Sequence, residues 1–381
     1  MKICLLTDGI TPYVTGGMQR HSFNLCNELL KLEHEVTLVH CVYGKNSLPQ
    51  KEEVNEIFEN SKNLTLHTLR FPESTGMPGH YIKESYQYSL TITSLLKDKF
   101  PEFDLIYVKG FSGWDLLQQR KKGIIKTGPI LVNFHGLEMF QEPASFGERL
   151  KAYLLKSPTK WNLNQADFCI SYGGKITSLL NGIGIPSSKI LIIPGAVSDN
   201  TLLEKKKLPI NSKFLFVGRY ERRKGIEELM QVVGSMPELE ISFVGAIPPS
   251  KKINRANVHY YGEVKEVNEL NTIFDEHTYL IAPSHSEGMP NVILEAMSRG
   301  LIPLATRVGA VEELVDNSNG FLFEPKSIQA IREAIEAAQL LDVEDAIEYS
   351  SKSIKKIRAN FTWSHIISLT IENFQRLVEK T

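Results

Sequence analysis

The chain has 381 residues, enough for two domains of ordinary size that each bury a core. Its formal charge of −1, with 23% charged and 42% hydrophobic residues, is that of a soluble globular protein and carries no global signal for nucleic acid. Cys4, Cys26, Cys41 and Cys169 lack metal or disulfide-framework spacing, the run "MKICLLTDG" is too short for a signal peptide, and no apolar window reaches membrane-spanning length, so a cytoplasmic protein is expected.

The first half reads as strand, turn and helix in succession. "KICLLTDG" is a continuous apolar run, followed by the loop "ITPYVTGGMQ" and a helix with Leu25, Cys26, Leu29 and Leu32 on one face. Further strands are expected at "HEVTLVHCV", "LTLHTLRF", "FDLIYVKG", "PILVNFHG", "ADFCISYG" and "KILIIPG". Apolar strands separated by helical stretches specify a parallel sheet covered on both faces. The polar stretch "VSDNTLLEKKKLPINSK" (197–213) interrupts this order and is the expected linker.

The order then begins again. "KFLFVGRYERRKG" gives a strand and a loop, and "GIEELMQVVGSM" a helix with Ile226, Leu229, Met230 and Val233 on one face. "LEISFVG", "VHYYGEV", "TYLIAPS" and "LIPLAT" are the remaining strands, and "SHIISLTIENFQRLVEK" is a terminal helix. The expected architecture is α/β, with two Rossmann-like domains facing across a cleft: 1–200, then 208–361, with 362–381 as a closing helix.

The stretch "HSEGMPNVILEAMSRG" (285–300) raises a chemical question, because two glutamates stand with seven residues between them. Glu287 falls in a strand-to-helix loop, Pro290 suits a first helical turn, and Gly300 is a natural stop. The amides of Asn291, Val292 and Ile293 have no partner within the helix and favour an anion. Glu295 lies roughly 6–7 Å further along the axis, about the reach from a bound diphosphate to a ribose. Both carboxylates are repelled by phosphate, so hydroxyls are their natural partners. A surface helix that carries two acids fits this stretch equally well.

Other candidates also have two readings. "GRYERRKG" sets Arg219 after a strand and Lys224 at a helix start, where two cations would neutralise a leaving diphosphate. With Arg222 and Arg223 in the same run, a solvated basic loop fits as well. Gly16 and Gly17 permit close backbone approach to a phosphate, or form an ordinary turn. His135 ends the strand "VNFHG" and either faces the cleft or is a satisfied core residue. There is no G-x-G-x-x-G after the first strand, no P-loop, no D-x-D pair and no G-x-S-x-G, which sets aside four familiar site types.

"EGMPNVILEAMSRGLIPLATRVGAVEELV", preceded by "FVGRYERRKGIEEL", resembles glycosyltransferase family 4, the group 1 retaining transferases of GT-B fold. The resemblance runs from the "TGGMQRH" turn to the terminal helix, and Glu287 and Glu295 match the family's E-x7-E signature. It implies that Glu295 holds the ribose, Glu287 the transferred sugar, and Arg219 and Lys224 the diphosphate. Gly16, Gly17 and the amides of Asn291, Val292 and Ile293 would form the phosphate cradle, with Gly262 and Val264 near the base and His135 near the sugar. The terminal helix would return to the first domain.

The implied reaction is transfer of a hexose-type sugar from a UDP- or GDP-sugar, with retention, no metal and no further cofactor. The acceptor would be a glycan or a lipid-linked glycan in bacterial surface polysaccharide assembly, such as O-antigen or capsule. Same-face attack is favoured, and a covalent intermediate stays open. A GT-B phosphorylase or epimerase, or a non-catalytic nucleotide-sugar binder, would share these motifs.

Two departures stand out: "PGAVS" where relatives often carry "PNGVD", and Lys109 where many carry a histidine. From Lys109 to Lys160 there are nine Lys/Arg and four Asp/Glu. "GERLKAYLLKSPTKWN" therefore reads as an interfacial helix on the inner face of the cell membrane, or as a solvated helix packed by its apolar side.

Overall fold

The computed structural model describes residues 1–44, 48–74, 76, 79–143, 145–206 and 213–379. The last part of the expected linker, 207–212, and the last two residues of the terminal segment lie outside them. The first sheet has seven parallel strands: β1 (Lys2–Leu6), β2 (Glu35–Val42), β3 (Leu64–Arg70), β4 (Leu105–Lys109), β5 (Ile130–Asn133), β6 (Phe168–Ser171) and β7 (Ile190–Ile192). Their order is β3-β2-β1-β4-β5-β6-β7. The second sheet has six: β8 (Phe214–Val217), β9 (Ile241–Val244), β10 (Val258–Gly262), β11 (Tyr279–Ala282), β12 (Ile302–Thr306) and β13 (Phe321–Phe323). Their order, β10-β9-β8-β11-β12-β13, is again the doubly wound arrangement that reverses after its first strand.

Burial explains why the strands read as unbroken apolar runs. β4 is buried at every position, as are β5, β9 and β12, because helices cover both faces. β13 was not expected from the sequence. Three residues of "FLF" are too short to show a period, and they become a strand by pairing with β12.

The helix Gly17–Lys31 buries Leu25, Cys26, Leu29 and Leu30. Leu32, expected on that face, is instead 49% exposed, because the helix stops at Lys31 and Glu33 turns the chain through a left-handed conformation. The helix Ile226–Ser235 buries Ile226, Leu229, Val232 and Val233, while Met230 is only partly covered. The terminal helix Trp363–Val378 buries Trp363, Ile366, Phe374 and Leu377 in the same core as Ile3, Leu5 and Leu29 of the first domain. Just before it, Val197 and Thr362 form a parallel bridge, with Trp363 N–H donating to the Val197 carbonyl at 2.9 Å. Among the described residues no helix is long and apolar enough to cross a membrane.

A buried lysine follows the first domain. Lys206 is 5% exposed and donates from Nζ to the Phe274 carbonyl at 2.6 Å, at the end of the helix Val267–Asp275. Burial lowers its pKa from 10.5 to about 7, against the pull of Asp275 and with repulsion from Arg299. Between those two values the folded chain binds fewer protons than the unfolded one, so this group's contribution to stability is lowest below pH 7 and rises as pH climbs towards 10.5. Lys206→Met is therefore expected to raise stability by about 1–3 kcal/mol near neutral pH, after the lost hydrogen bond is counted. Melting curves at about pH 6 and about pH 10 check this: the gain should shrink at the higher pH, and an equal or larger gain there would contradict it.

Candidate active site

In open parallel sheets, ligands lie beyond the strand ends where the strand order reverses. Here those points are between β1 and β4 in the first sheet, and between β8 and β11 in the second. Gly16 and Gly17 stand where the loop after β1 enters its helix, Lys109 ends β4, and the loops after β8 and β11 carry Arg219 to Lys224 and Ser284 to Gly288. The candidate residues thus converge because the topology brings their strand ends together.

Glu287 is the centre of the second-domain cluster. Its side chain is 9% exposed, and Oε1 accepts from Lys224 Nζ at 2.6 Å and from Ser284 Oγ at 2.8 Å. Oε2 lies 3.4 Å from Arg223 Nη1, which also donates to the Ser286 carbonyl at 3.2 Å. Burial alone would raise the Glu287 pKa, but Lys224, Arg223 and the hydrogen bonds from Lys224 and Ser284 outweigh it and hold the carboxyl below its usual range. The carboxylate is therefore ionised at neutral pH, with fixed geometry.

Two glycines make this packing possible. Gly225, at φ 66°, turns the chain after Lys224, and a Cβ there would collide with the Pro283 carbonyl. Gly309, at φ 55°, lies against the Glu287 and Gly288 carbonyls in the same way. Ala310 N–H then donates to Gly288 O at 2.7 Å. From the first domain, Gln141 Nε2 donates to the Glu287 carbonyl at 2.6 Å, and a Cβ on Gly288 would stand 3.1 Å from Gly136 N. The Glu287 loop is clamped from both domains.

Glu295 lies in the first turns of the helix Asn291–Ser298, and its Oε1 pairs with Arg20 Nη1 of the helix Gly17–Lys31. Burial raises the Glu295 pKa, and Arg20 only partly offsets this. A Cβ on Gly17 would sit 3.4 Å from Asn291 Nδ2, so the Gly-Gly turn faces the start of this helix across the cleft. Neither helix start has a side-chain cap. The amide of Ile293 donates to the Pro290 carbonyl at 3.1 Å, and Val292 is partly buried against the apolar core.

His135 sits in a left-handed conformation (φ 53°) with both ring nitrogens engaged inside the first domain. Nδ1 meets the Tyr172 hydroxyl, and Nε2 lies 3.3 Å from Lys109 Nζ, which is also 2.9 Å from His21 Nδ1. An ε-amino group donates to both imidazoles, which leaves the His135 Nδ1–H for the Tyr172 oxygen. Burial, then Lys109 and His21, hold His135 well below the ordinary histidine range, so it is neutral. Burial likewise lowers Lys109, against the pull of Asp8. Lys109 is wholly buried and belongs to this network rather than to the open cleft.

Arg219 stands apart: its side chain is 70% exposed, and Nε lies 3.1 Å from Glu221 Oε1. Gly262 and Val264 lie at and beyond the end of β10, two strands out from β8. In the sequence Arg223 served only as grounds for the alternative of a solvated basic loop, and Arg20, Gln141, Ser284 and Glu138 were not singled out. Arg223 is 25% exposed and faces Glu287, a contact across 64 residues that no local pattern carries. Among the described residues no group of three or more metal-ligating side chains converges.

Comparison with known proteins bears on this site. The model of glycosyltransferase family 4 matches residues 15–201, and that of the group 1 glycosyl transferases matches 211–340. The O-antigen biosynthesis glycosyltransferase WbnH of Escherichia coli is 30% identical over 169 residues, 42% of this chain and 47% of that protein. The capsular polysaccharide biosynthesis glycosyltransferase CapM of Staphylococcus aureus is 27% identical over 153 residues, 37% and 40% of the two chains. The matched stretches thus span less than half the length of these relatives. Sucrose-phosphate synthase from Thermosynechococcus elongatus superposes with a TM-score of 0.79 at 18% identity, over the whole of both chains. Anabaena HepE in complex with UDP and glucose does so at 0.67 and 16%, over 98% of this chain and 99% of its own. With both family models matched and the two-sheet GT-B fold in place, the chain belongs to glycosyltransferase family 4.

Proposed function

We propose that this chain is a retaining glycosyltransferase that moves a hexose-type sugar from a nucleotide-diphosphate sugar to a glycan or lipid-linked acceptor in bacterial surface polysaccharide assembly. One observation carries the reading: an ionised, nearly buried Glu287 held by Lys224 and Arg223 beside an uncapped helix start, with Glu295 four residues into that helix. The relatives named for O-antigen and capsule support the pathway, and HepE with UDP supports the donor class. Residues 208–361 would hold the donor, 1–200 the acceptor, and 362–381 would tie the two together.

Glu295 would take the ribose hydroxyls in place of Arg20, and Glu287 the hydroxyls of the transferred sugar. Lys224, Arg223 and Arg219, once it turns inward, would neutralise the departing diphosphate in place of a metal. Gly16, Gly17 and the amides of Asn291 and Val292 would receive the phosphates, with Gly262 and Val264 near the base. Neutral His135 would hold the sugar-side loop rather than carry a proton. With Glu287 pinned by Lys224 and Ser284, same-face transfer is favoured, with the leaving phosphate receiving the acceptor proton. The helix Phe146–Gln165 exposes Leu150, Tyr153 and Leu154 among lysines, which supports a peripheral contact with acidic lipid.

Two measurements test this. Thermal shifts with UDP, GDP, ADP and dTDP should show one nucleotide stabilising the native chain, by about 2.7 kcal/mol at 100 times its dissociation constant, and not Glu295→Ala. No shift at millimolar concentration would overturn the donor site. NMR of the product should show the donor's anomeric configuration preserved, and an inverted product would overturn the mechanism.

A further inference from the structure

The first domain carries a second polar and aromatic cluster, beyond the ends of β1, β2 and β3. Asp8 lies two residues beyond β1; its carbonyl accepts from Cys41 Sγ at 3.1 Å and its Oδ1 accepts from Gln19 Nε2 at 3.2 Å. It is half-buried, and burial raises its pKa to about 6 against the pull of its own backbone amide, Gln19 and Lys109. Its charge reaches the phenols of both Tyr43, just after β2, and Tyr81, in the helix His80–Leu96.

Tyr43 is 46% exposed and Tyr81 40%, yet both rest on the buried ring of Phe71, after β3. The ring centroids are 4.8 Å apart for Tyr43 and Phe71, and 6.4 Å for Phe71 and Tyr81, the second pair stacked at 24°. Tyr81 continues to Phe111 at 6.4 Å, and Phe111 to Phe134 at 4.9 Å, the residue before His135. Glu138, exposed to the cleft, acts electrostatically on Tyr81 and is itself acted on by Arg223, Glu287 and Lys224. Ring contacts therefore run from Tyr43 through Phe71, Tyr81 and Phe111 to Phe134, and Asp8 and Glu138 both act electrostatically on Tyr81.

We propose that Tyr43, Tyr81, Asp8 and Glu138 form the acceptor subsite, and that it takes one uncharged pyranose ring. This rests on the transferase reading and names the part of the acceptor that is recognised. The apolar C–H face of a pyranose fits a half-open aromatic wall, and its hydroxyls donate to carboxylates and exchange hydrogen bonds with phenols. Two carboxylates repel a phosphoryl or uronate group, so a lipid-linked acceptor is met at its terminal sugar and not at its phosphate. Glu138 is the end of the subsite that borders the Glu287 loop: a Cβ on Gly136 would stand 2.5 Å from Glu138 Oε1 and 3.0 Å from Gly288 N.

The test is saturation-transfer NMR with methyl α- and β-glycosides of glucose, galactose, mannose and N-acetylglucosamine, and with methyl glucuronide and galacturonide. At least one uncharged glycoside should bind the native chain in the millimolar range, and Tyr81→Ala and Asp8→Asn should each weaken it about ten-fold or more. Melting temperatures and the nucleoside-diphosphate shift report that both variants remain folded with an intact donor site. No binding of any uncharged glycoside up to about 20 mM, unchanged binding in both variants, or a uronide binding more tightly than every uncharged glycoside would overturn the subsite. A native chain that binds a glycoside but shifts with no nucleotide would instead overturn the donor reading alone.

Discussion

A carboxylate taken out of water must be compensated on every side, and Glu287 is compensated by Lys224, Arg223 and Ser284. That requirement orders much of the second domain. The loop after β8 must bring two cations to the loop after β11, which needs the left-handed Gly225 against Pro283. The loop after β12 must leave the Glu287 and Gly288 carbonyls uncrowded, which needs Gly309. Removing Lys224 would leave Glu287 with only Arg223 and Ser284, a change smaller than the order of 3–5 kcal/mol that breaking a fully buried pair costs.

Polar contacts join the two domains beside one continuous apolar cluster, which runs from Val108, Phe134 and Tyr172 of the first to Met289, Leu294 and Val311 of the second. Gln141 binds the Glu287 carbonyl, Arg20 meets Glu295, Lys326 reaches the Pro143 carbonyl at 3.0 Å and Glu142 at 2.8 Å, and Lys175 N–H donates to Gly309 O at 3.0 Å. Such contacts exchange readily for water or ligand, which suits a site that must open and close. The helix Trp363–Val378 adds a further apolar link, through Trp363 and Phe374 in the first-domain core. Arg20 occupies the Glu295 carboxylate, so under the proposed function it is the contact that a ribose would have to displace.

Much of the fold was legible in the sequence. Seven strands of the first domain and five of the second were visible as apolar runs, because strands buried on both faces leave that mark. β13 was not, since three residues carry no period and its pairing partner decides its state. The E-x7-E spacing located Glu287 and Glu295 on a loop and a helix, as they stand. Arg223 and Arg20 were hidden because their partners are 64 and 275 residues away, and a run of basic residues looks the same solvated or engaged. His135 was legible as a strand-end residue, whereas its capture by Tyr172 and Lys109 depends on three strands coming side by side.

In the proposed transfer Lys224 and Glu287 act as one unit. A double-mutant cycle on nucleoside diphosphate release tests it, using native chain, Glu287→Gln, Lys224→Met and the double variant, with a sugar of the nucleotide that stabilises the fold. If the two groups work together, each single change lowers kcat about 100-fold or more, and the double variant is no worse than the weaker single within about ten-fold. If the double variant instead loses the product of the two single effects, the groups act independently and the pair is not the unit on which transfer depends.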